Sequence, residues 1–343
     1  MARPVKRRRS AQDILAVHMR FNSHQIARDA ARCAATRRLV SFPFFRGDLH
    51  VHTVYSDGMG TVDEVAGVAQ QRGLDFLFIT DHGTVRQKVE CVRYPNVWWG
   101  QEPGAGGHHI CILDNPRKYT PVRDIRRDAE RLRKKGLFFF YPHPTGWFPR
   151  TVYDPSLRDS LREAGPQFAM EVINGIFRIE PFHDEWTDAN VALWDALLGE
   201  GFRVTGLAAT DAHFAPGVGN VWTGVLARRL TKASVLEALR QGTAFASMGP
   251  AINVRIGRTP MGAALRRRGR RGILRVECAD AYGLNWLRVV KDGKVVRERR
   301  YRGRTHAREA IALRFSASSR YVRAECAAND DRRAYSNPIY LLP

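Results

Sequence analysis

Between Gly47 and Gly249 short apolar runs alternate with amphipathic stretches, and this rhythm restricts the fold more than any other feature of the chain. Runs suited to strands fall at Leu49 to His52, Phe76 to Thr80, Val97 to Gly100, His109 to Leu113, Leu137 to Tyr141, Phe168 to Ile173 and Phe202 to Ala208. Helical stretches lie between several of them, at Thr61 to Arg72, Val122 to Lys135, Asn190 to Leu198 and Lys232 to Arg240. Such alternation implies a parallel sheet, and about seven strands of this kind can close into a barrel. Chemistry is then expected at the strand C-terminal ends.

Those ends carry histidines and carboxylates. In GDLHVHTVYSDG, Gly47 to Gly58, the strand period of two sends Leu49 and Val51 to one side and His50 and His52 to the other, with Asp57 close behind. Two neutral imidazoles on one face can share a divalent cation. An isolated His-x-His reads equally well as a hydrogen-bonded pair, but here Asp81-His82, Glu102, His109, His143 and Asp211-x-His213 come after it, each at the end of an apolar segment. Seven of the 11 histidines (His50, His52, His82, His108, His109, His143, His213) stand at such ends, which makes chance clustering a poor account of them.

The candidate ligands are His50, His52, Asp57, His82, Glu102, His109, His143, Asp211 and His213. A catalytic metal needs only about three protein ligands and a water, so this set suffices for two or three divalent ions. Imidazole and carboxylate without an obligatory thiolate suit Zn, Mn or Fe. Glu102 is the natural bridge, since the two oxygens of one carboxylate can bind two cations. Two neighbouring cations would hold a hydroxide between them as nucleophile, the chemistry of ester and phosphoester hydrolysis, with Asp211 or His213 handling the proton.

At 343 residues and 44% hydrophobic the chain can bury a full core. No apolar run approaches the ~20 residues of a membrane span, so the sequence reads as soluble. Five cysteines, Cys33, Cys91, Cys111, Cys278 and Cys326, are odd in number and form no C-x-x-C pair. They argue against a disulfide framework or zinc ribbon and favour a reducing compartment, the cytoplasm. The net charge of +21 sits at the ends: residues 1–46 carry 11 Lys and Arg against 2 Asp and Glu, and residues 251–343 carry 22 against 8. Basic ends can attract nucleic acid or steer an anionic substrate, yet an Arg-rich solvated surface from coding bias explains them as simply, and no nucleic-acid-binding motif accompanies them.

The opening segment lacks the apolar core of a signal peptide, and the stretch after its arginines is not hydrophobic enough for a twin-arginine export signal. Ile14, Val17, Phe21, Ile26 and Ala30 suggest a helix after a Ser10 cap, so residues 1–46 read as a basic tail and docking helix. After Gly249-Pro250 the helical pattern gives way to short alternating runs, with Asp292-Gly293 as a hairpin turn between two of them. The expected organisation is therefore the ligand-bearing α/β unit over 47–250 and a small C-terminal β-sandwich over 251–343.

GDLHVHTVYSDG, FLFITDHG, the lone Glu102, YPHP and TDAH, in that order, resemble the successive motifs of the polymerase and histidinol phosphatase (PHP) superfamily of metal-dependent phosphoesterases. EVINGIF, GVGNVWTGVL, LEALRQGTAFASMGP and NPIY are similar to its carbaryl-hydrolase-like (CehA/McbA-type) branch. The resemblance implies a distorted seven-stranded (β/α)7 barrel, with a small β domain after it and up to three metals. It implies His50, His52, Glu102 and Asp211 for the first metal, Asp57, His82 and His213 for the second, and Glu102 with His143 and a residue of HHIC for the third. Strand period favours His109 there, with Cys111 on the same face; His108 enters if Gly106-Gly107 kinks the strand.

Other residues carry two readings each. Asn174-Gly175 is either a pocket amide or a turn, Arg178 a phosphate clamp or a surface arginine, and His183 part of a lid or not. His18, His24 and His306 lie outside the repeated region and read as surface residues. With neither a G-x-S-x-G elbow nor a P-loop, serine acylation and Walker-type nucleotide hydrolysis are not indicated. A multinuclear phosphoesterase acting on a small-molecule substrate is the first expectation. Carbamate, ester or amide hydrolysis on the same site is the second, and a non-catalytic metal-stabilised module binding nucleic acid or protein through the basic ends is the third.

Overall fold

Very short, largely buried strands build the first half of the sheet. In the computed structural model, which describes residues 11–105, 108–122, 124–146, 160–266 and 271–343, β1 (Phe45–Asp48), β2 (Phe76–Ile79) and β3 (Val97–Gln101) pair in parallel. A two-residue hairpin comes after them, β4 (Gly104–Ala105) with β5 (His108–His109). Next are β6 (Cys111–Leu113), β7 (Phe138–Phe140), β8 (Gln167–Asn174), β9 (Arg203–Ala209), β10 (Trp222–Val225) and β11 (Ala244–Ser247). The helices are α1 (Ala11–Leu39), α2 (Val62–Gln71), α3 (Lys88–Cys91), α4 (Ile125–Lys134), α5 (Glu185–Glu200) and α6 (Lys232–Gln241). Four of them begin on the side-chain caps their sequences offer: Thr61, whose hydroxyl accepts from Glu64 N in a full capping box, Asp124, Asp184 and Thr231.

The sheet departs from an all-parallel closed barrel in two ways. β6 runs antiparallel to both β3 and β7, and β1 runs antiparallel to β10. The turn from β3 to β6 is too short for a helical crossover, so the chain can only double back. Nor does the sheet close: β8 and β9 form a separate parallel pair that packs against β7, β10 and β11 and is flanked by isolated bridges, Tyr141 to Met170 and Val51 to Ala212. The first strand is regular only to Asp48 rather than to His52, with Val51 pairing beyond it as an isolated bridge to Ala212, and the buried Asp48 carboxylate accepts from Thr210 N and Oγ1 and from Gly219 N. Leu49 and Val51 are nevertheless buried, in two different apolar clusters.

The C-terminal region is strand-rich: β12 (Ala251–Ile256), β13 (Thr259–Pro260), β14 (Ala264–Arg266), β15 (Arg271–Lys291), β16 (Lys294–Arg314), β17 (Tyr321–Ala328), β18 (Arg333–Ser336) and β19 (Ile339–Leu342). Asp292 and Gly293, at φ 51° and 75°, form the turn of the long β15–β16 hairpin, the left-handed pair such a turn requires. These strands are not set apart in a sheet of their own: β18 pairs antiparallel with β11, so one sheet path runs from β13 through to β7. Helix α1 lies across this junction. Buried Asp29 accepts from Arg72 Nη1 at 2.7 Å and from Arg332 Nη1 at 2.8 Å, and buried Arg32 reaches Asp280 at 2.9 Å.

Candidate metal centre

All nine residues singled out from the sequence meet at one end of the sheet, delivered by chain segments 50–57, 82, 102–109, 143 and 211–213. They fall into three groups whose donor atoms lie within 4.8 Å of one another: His50, His52, Glu102 and Asp211; His52, Asp57, His82 and His213; and Glu102, His109 and His143.

The first group is wholly buried. His50 Nε2 faces His52 Nε2 at 3.0 Å, and Glu102 Oε2 lies 2.9 Å from the former and 3.1 Å from the latter. Asp211 Oδ1 completes the group, 3.3 Å from His50 Nε2 and 3.1 Å from His52 Nε2. Donors at tetrahedral corners around a cation at about 2.0 Å stand about 3.3 Å apart, so this spacing fits a small divalent ion. Glu171, in the middle of apolar β8, was not among the expected site residues. Its Oε1 lies 2.8 Å from His50 Nδ1, while Oε2 accepts from His143 N and Asn174 Nδ2, both at 2.8 Å. Holding the proton on Nδ1 leaves the Nε2 lone pair of His50 turned into the group. The available signal was the carboxylate itself: a charge in the run Phe168 to Ile173 has to be buried for a purpose.

The second group opens to solvent. His213 Nδ1 lies 2.9 Å from the Asp211 carbonyl and His82 Nδ1 3.1 Å from the Glu102 carbonyl, so backbone acceptors hold the ring protons and both Nε2 atoms face Asp57 Oδ2, at 3.3 and 3.6 Å. His52 Nδ1 is buried with no hydrogen-bond partner among the described residues and stands 3.8 Å from Asp57 Oδ1, a gap that a cation would fill. A neutral imidazole has one lone pair, so His52 can serve only one of its two groups at a time.

In the third group Glu102 turns its other oxygen, Oε1, to His109 Nδ1 at 2.8 Å and His143 Nε2 at 3.4 Å. Of the alternatives to His109, Cys111 is buried with its thiol pushed well up by burial and belongs to none of the three groups, and the side chain of His108 lies outside the described residues.

Electrostatics sharpen the picture. Burial disfavours the charged form of Glu102, but His50 and His109 outweigh it and hold the carboxyl well below its usual range. Burial likewise works against protonated His52, yet Asp211 and Glu102 raise it to about 9. The bond to His213 keeps Asp57 low. A field that retains protons on buried imidazoles is one in which a metal cation can replace those protons. Two of the nine residues also sit in the left-handed backbone region, His143 at φ 32° and Asp211 at φ 51°, a local strain typical of sites held in place by their surroundings.

Of the other residues raised by the sequence, Asn174 does join the site, through Glu171 and, at 3.5 Å, Asp211 Oδ2. Arg178 is instead buried against Asp184 and the Phe182 carbonyl, with its guanidinium 4.1 Å above the Phe182 ring. His183 lies 3.0 Å from Asp188, His306 is 3.0 Å from Glu277, His24 is exposed, and the side chain of His18 lies outside the described residues.

Residues 48–115 match the family described as PHP domain, and residues 200–244 the family described as PHP-associated. The two matched segments contain eight of the nine grouped residues, all but His143, and support the PHP superfamily. No curated protein matches the chain. Among solved structures, a two-domain Bacteroides vulgatus protein described as containing a PHP-like metal-dependent phosphoesterase is 15% identical, over 88% of this chain and 96% of its own, with a TM-score of 0.49. PsfC from Pseudomonas syringae is 17% identical over 57% of this chain and 88% of its own, with a TM-score of 0.41. The lesion-specific endonuclease PfuEndoQ from Pyrococcus furiosus is 16% identical over 58% of this chain and 56% of its own, with a TM-score of 0.41. The PHP domain match and the His, Asp and Glu clusters together suit a metal-dependent hydrolase that binds divalent metals.

Proposed function

We propose that the chain is a PHP-type phosphoesterase holding two or three divalent ions, Zn, Mn or Fe, and acting on a small-molecule phosphoester. The observation that carries the reading is Glu102: one buried carboxylate divides its two oxygens between separate histidine groups, the arrangement a bridging ligand needs. His50, His52 and Asp211 would hold one ion with Glu102, Asp57, His82 and His213 a second, and His109 and His143 with Glu102 a third. When bound, such ions supply a nucleophilic water at neutral pH and neutralise charge on the attacking and leaving oxygens.

The chain's own residues do the rest. Glu171 and the two backbone carbonyls fix the imidazole tautomers, and Asn174 ties Glu171 to the Asp211 side. Asp211 or His213 would take the proton of water as its oxygen bonds to phosphorus and the ester P–O bond breaks, Asp211 through the carboxylate oxygen turned away from the first group and His213 only while its Nε2 holds no ion. The five cysteines are all buried free thiols, which favours a cytoplasmic setting.

We place the chain in the carbaryl-hydrolase-like branch, and that placement keeps carbamate, ester or amide hydrolysis as a second reading of the same site. Parallel assays with aryl phosphate mono- and diesters, a nucleotide and an aryl carbamate, with Mn or Zn added, separate the two. Turnover of the phosphoesters supports the first, and turnover of the carbamate alone rejects it. A binding role has one observation behind it: Arg297, Arg299, Arg300, Arg302 and Arg304 all stand exposed along β16. Metal-free protein that turns nothing over yet binds DNA with steep salt dependence would make that reading the correct one.

A further inference from the structure

The three groups differ in access. His50, His52, Glu102 and Asp211 are buried, whereas the Asp57 side chain is 54% exposed and those of His82 and His109 are 31% and 32% exposed, so among the described residues the cluster opens along Asp57, His213, His82 and His109. At that mouth stands Phe177. Its ring centroid lies 6.1 Å from that of His213, the residue is 54% exposed, and its backbone is held at φ 58°. A bulky side chain is rarely found in the left-handed region, and there the strain persists only where neighbours impose it.

Here they do. Asn174 Oδ1 accepts from Ile176 N at 3.0 Å, and Asn220 Nδ2 donates to the carbonyls of Gly175 and Arg178 at 2.9 and 2.7 Å. Arg72, itself anchored on Asp29, donates to the Ile179 carbonyl at 2.7 Å. A Cβ at position 175 would come within 2.1 Å of Asn220 Oδ1 and so displace the amide that holds this turn. Gly175 and Ile176 on one side of Phe177, and Arg178 and Ile179 on the other, are thus pinned so that an aromatic ring faces water beside a candidate ligand. Nearby, Met59, whose N–H donates to the His213 carbonyl at 2.7 Å, is 75% exposed, and Val54 is exposed on the same loop. An apolar rim on so basic a protein, next to its most polar cluster, marks a surface meant to be covered by ligand.

We propose that Phe177 is a specificity-determining residue whose ring packs against a planar aromatic group on the alcohol side of the substrate, so that aryl phosphoesters are preferred over alkyl ones. The inference rests on the phosphoesterase reading above. Aromatic packing of this kind is worth about tenfold in affinity.

The test is binding of two non-hydrolysable probes, phenylphosphonate and methylphosphonate, to the full chain supplied with Mn, measured by calorimetry. The wild type is expected to bind the phenyl probe more tightly. Phe177→Gly should cut phenyl affinity about tenfold and leave methyl affinity unchanged, with a melting temperature no lower than that of the wild type, since glycine relieves the left-handed backbone. Phe177→Leu, which keeps apolar bulk without a ring face, should fall between. No phenyl preference in the wild type, or a preference that survives Phe177→Gly, would overturn the role of Phe177 alone. Failure of the wild type to bind either phosphonate would overturn the phosphoesterase reading and this inference with it.

Discussion

His50 is held from two sides, by Glu171 at Nδ1 and by the Glu102–His52–Asp211 group at Nε2, and the two attachments make different predictions. Replacing His50 by Ala removes a donor from the most enclosed group but leaves Leu49, Val51 and Phe140 in their apolar clusters. Turnover should be lost while far-ultraviolet circular dichroism stays that of the wild type; loss of the fold instead would mean that the imidazole is structural. Glu171→Gln is subtler. An amide oxygen can still accept from His143 N and Asn174, but the NH2 then faces His50 Nδ1 and cannot accept the ring proton there. Outer-shell partners of this kind typically matter 10–100-fold for metal affinity, and a loss of about that size is expected in competition titration with a chromophoric chelator. Affinity equal to the wild type would show that Glu171 is only a buried bystander.

At the scale of elements, what could be read in advance was whatever local chemistry dictates. Thr61, Asp124 and Thr231 announce their helices by capping, and Asp292-Gly293 announces its hairpin because few other pairs tolerate two successive positive φ values. Strand positions were legible in runs such as FLFI and FFFY. Direction and closure were not, because a three-residue strand like Cys111–Leu113 carries no mark of which neighbour it will oppose. The grouping of the candidate residues was legible because His and Asp at strand ends are conspicuous; Glu171, a carboxylate inside an apolar strand, was overlooked, and Phe177 owes its position to a backbone twist no residue pattern encodes. Helix α1 illustrates the same limit. Its sequence suggested a helix, but only the fold shows Asp29 shared by Arg72 and Arg332. Asp29→Ala leaves two buried guanidinium groups short of a counter-charge, and breaking a buried pair costs about 3–5 kcal/mol. Urea unfolding should show a loss of that order, with Asp29→Asn losing less; a loss below about 1 kcal/mol would place the pairs in the surface class.

For the molecule as a whole, the cluster and the continuous sheet have a joint thermodynamic consequence. Donors drawn from positions as distant as 50 and 213 come together only in the folded chain, so ions bound there stabilise the native state and not the unfolded one. At a free metal concentration 100 times the dissociation constant that stabilisation is about 2.7 kcal/mol, and a chain of this size responds with a rise of several degrees in melting temperature. Because β11 pairs with β18, the loss of this stabilisation should not be confined to the region around the site. Calorimetry in excess chelator is expected to show one transition, shifted several degrees down and restored by Mn or Zn, and His50→Ala should narrow the shift. A melting temperature indifferent to both chelator and metal would mean that the nine side chains hold no ion. Two transitions, of which only one follows the metal, would mean that the strand-rich C-terminal region melts on its own despite the shared sheet.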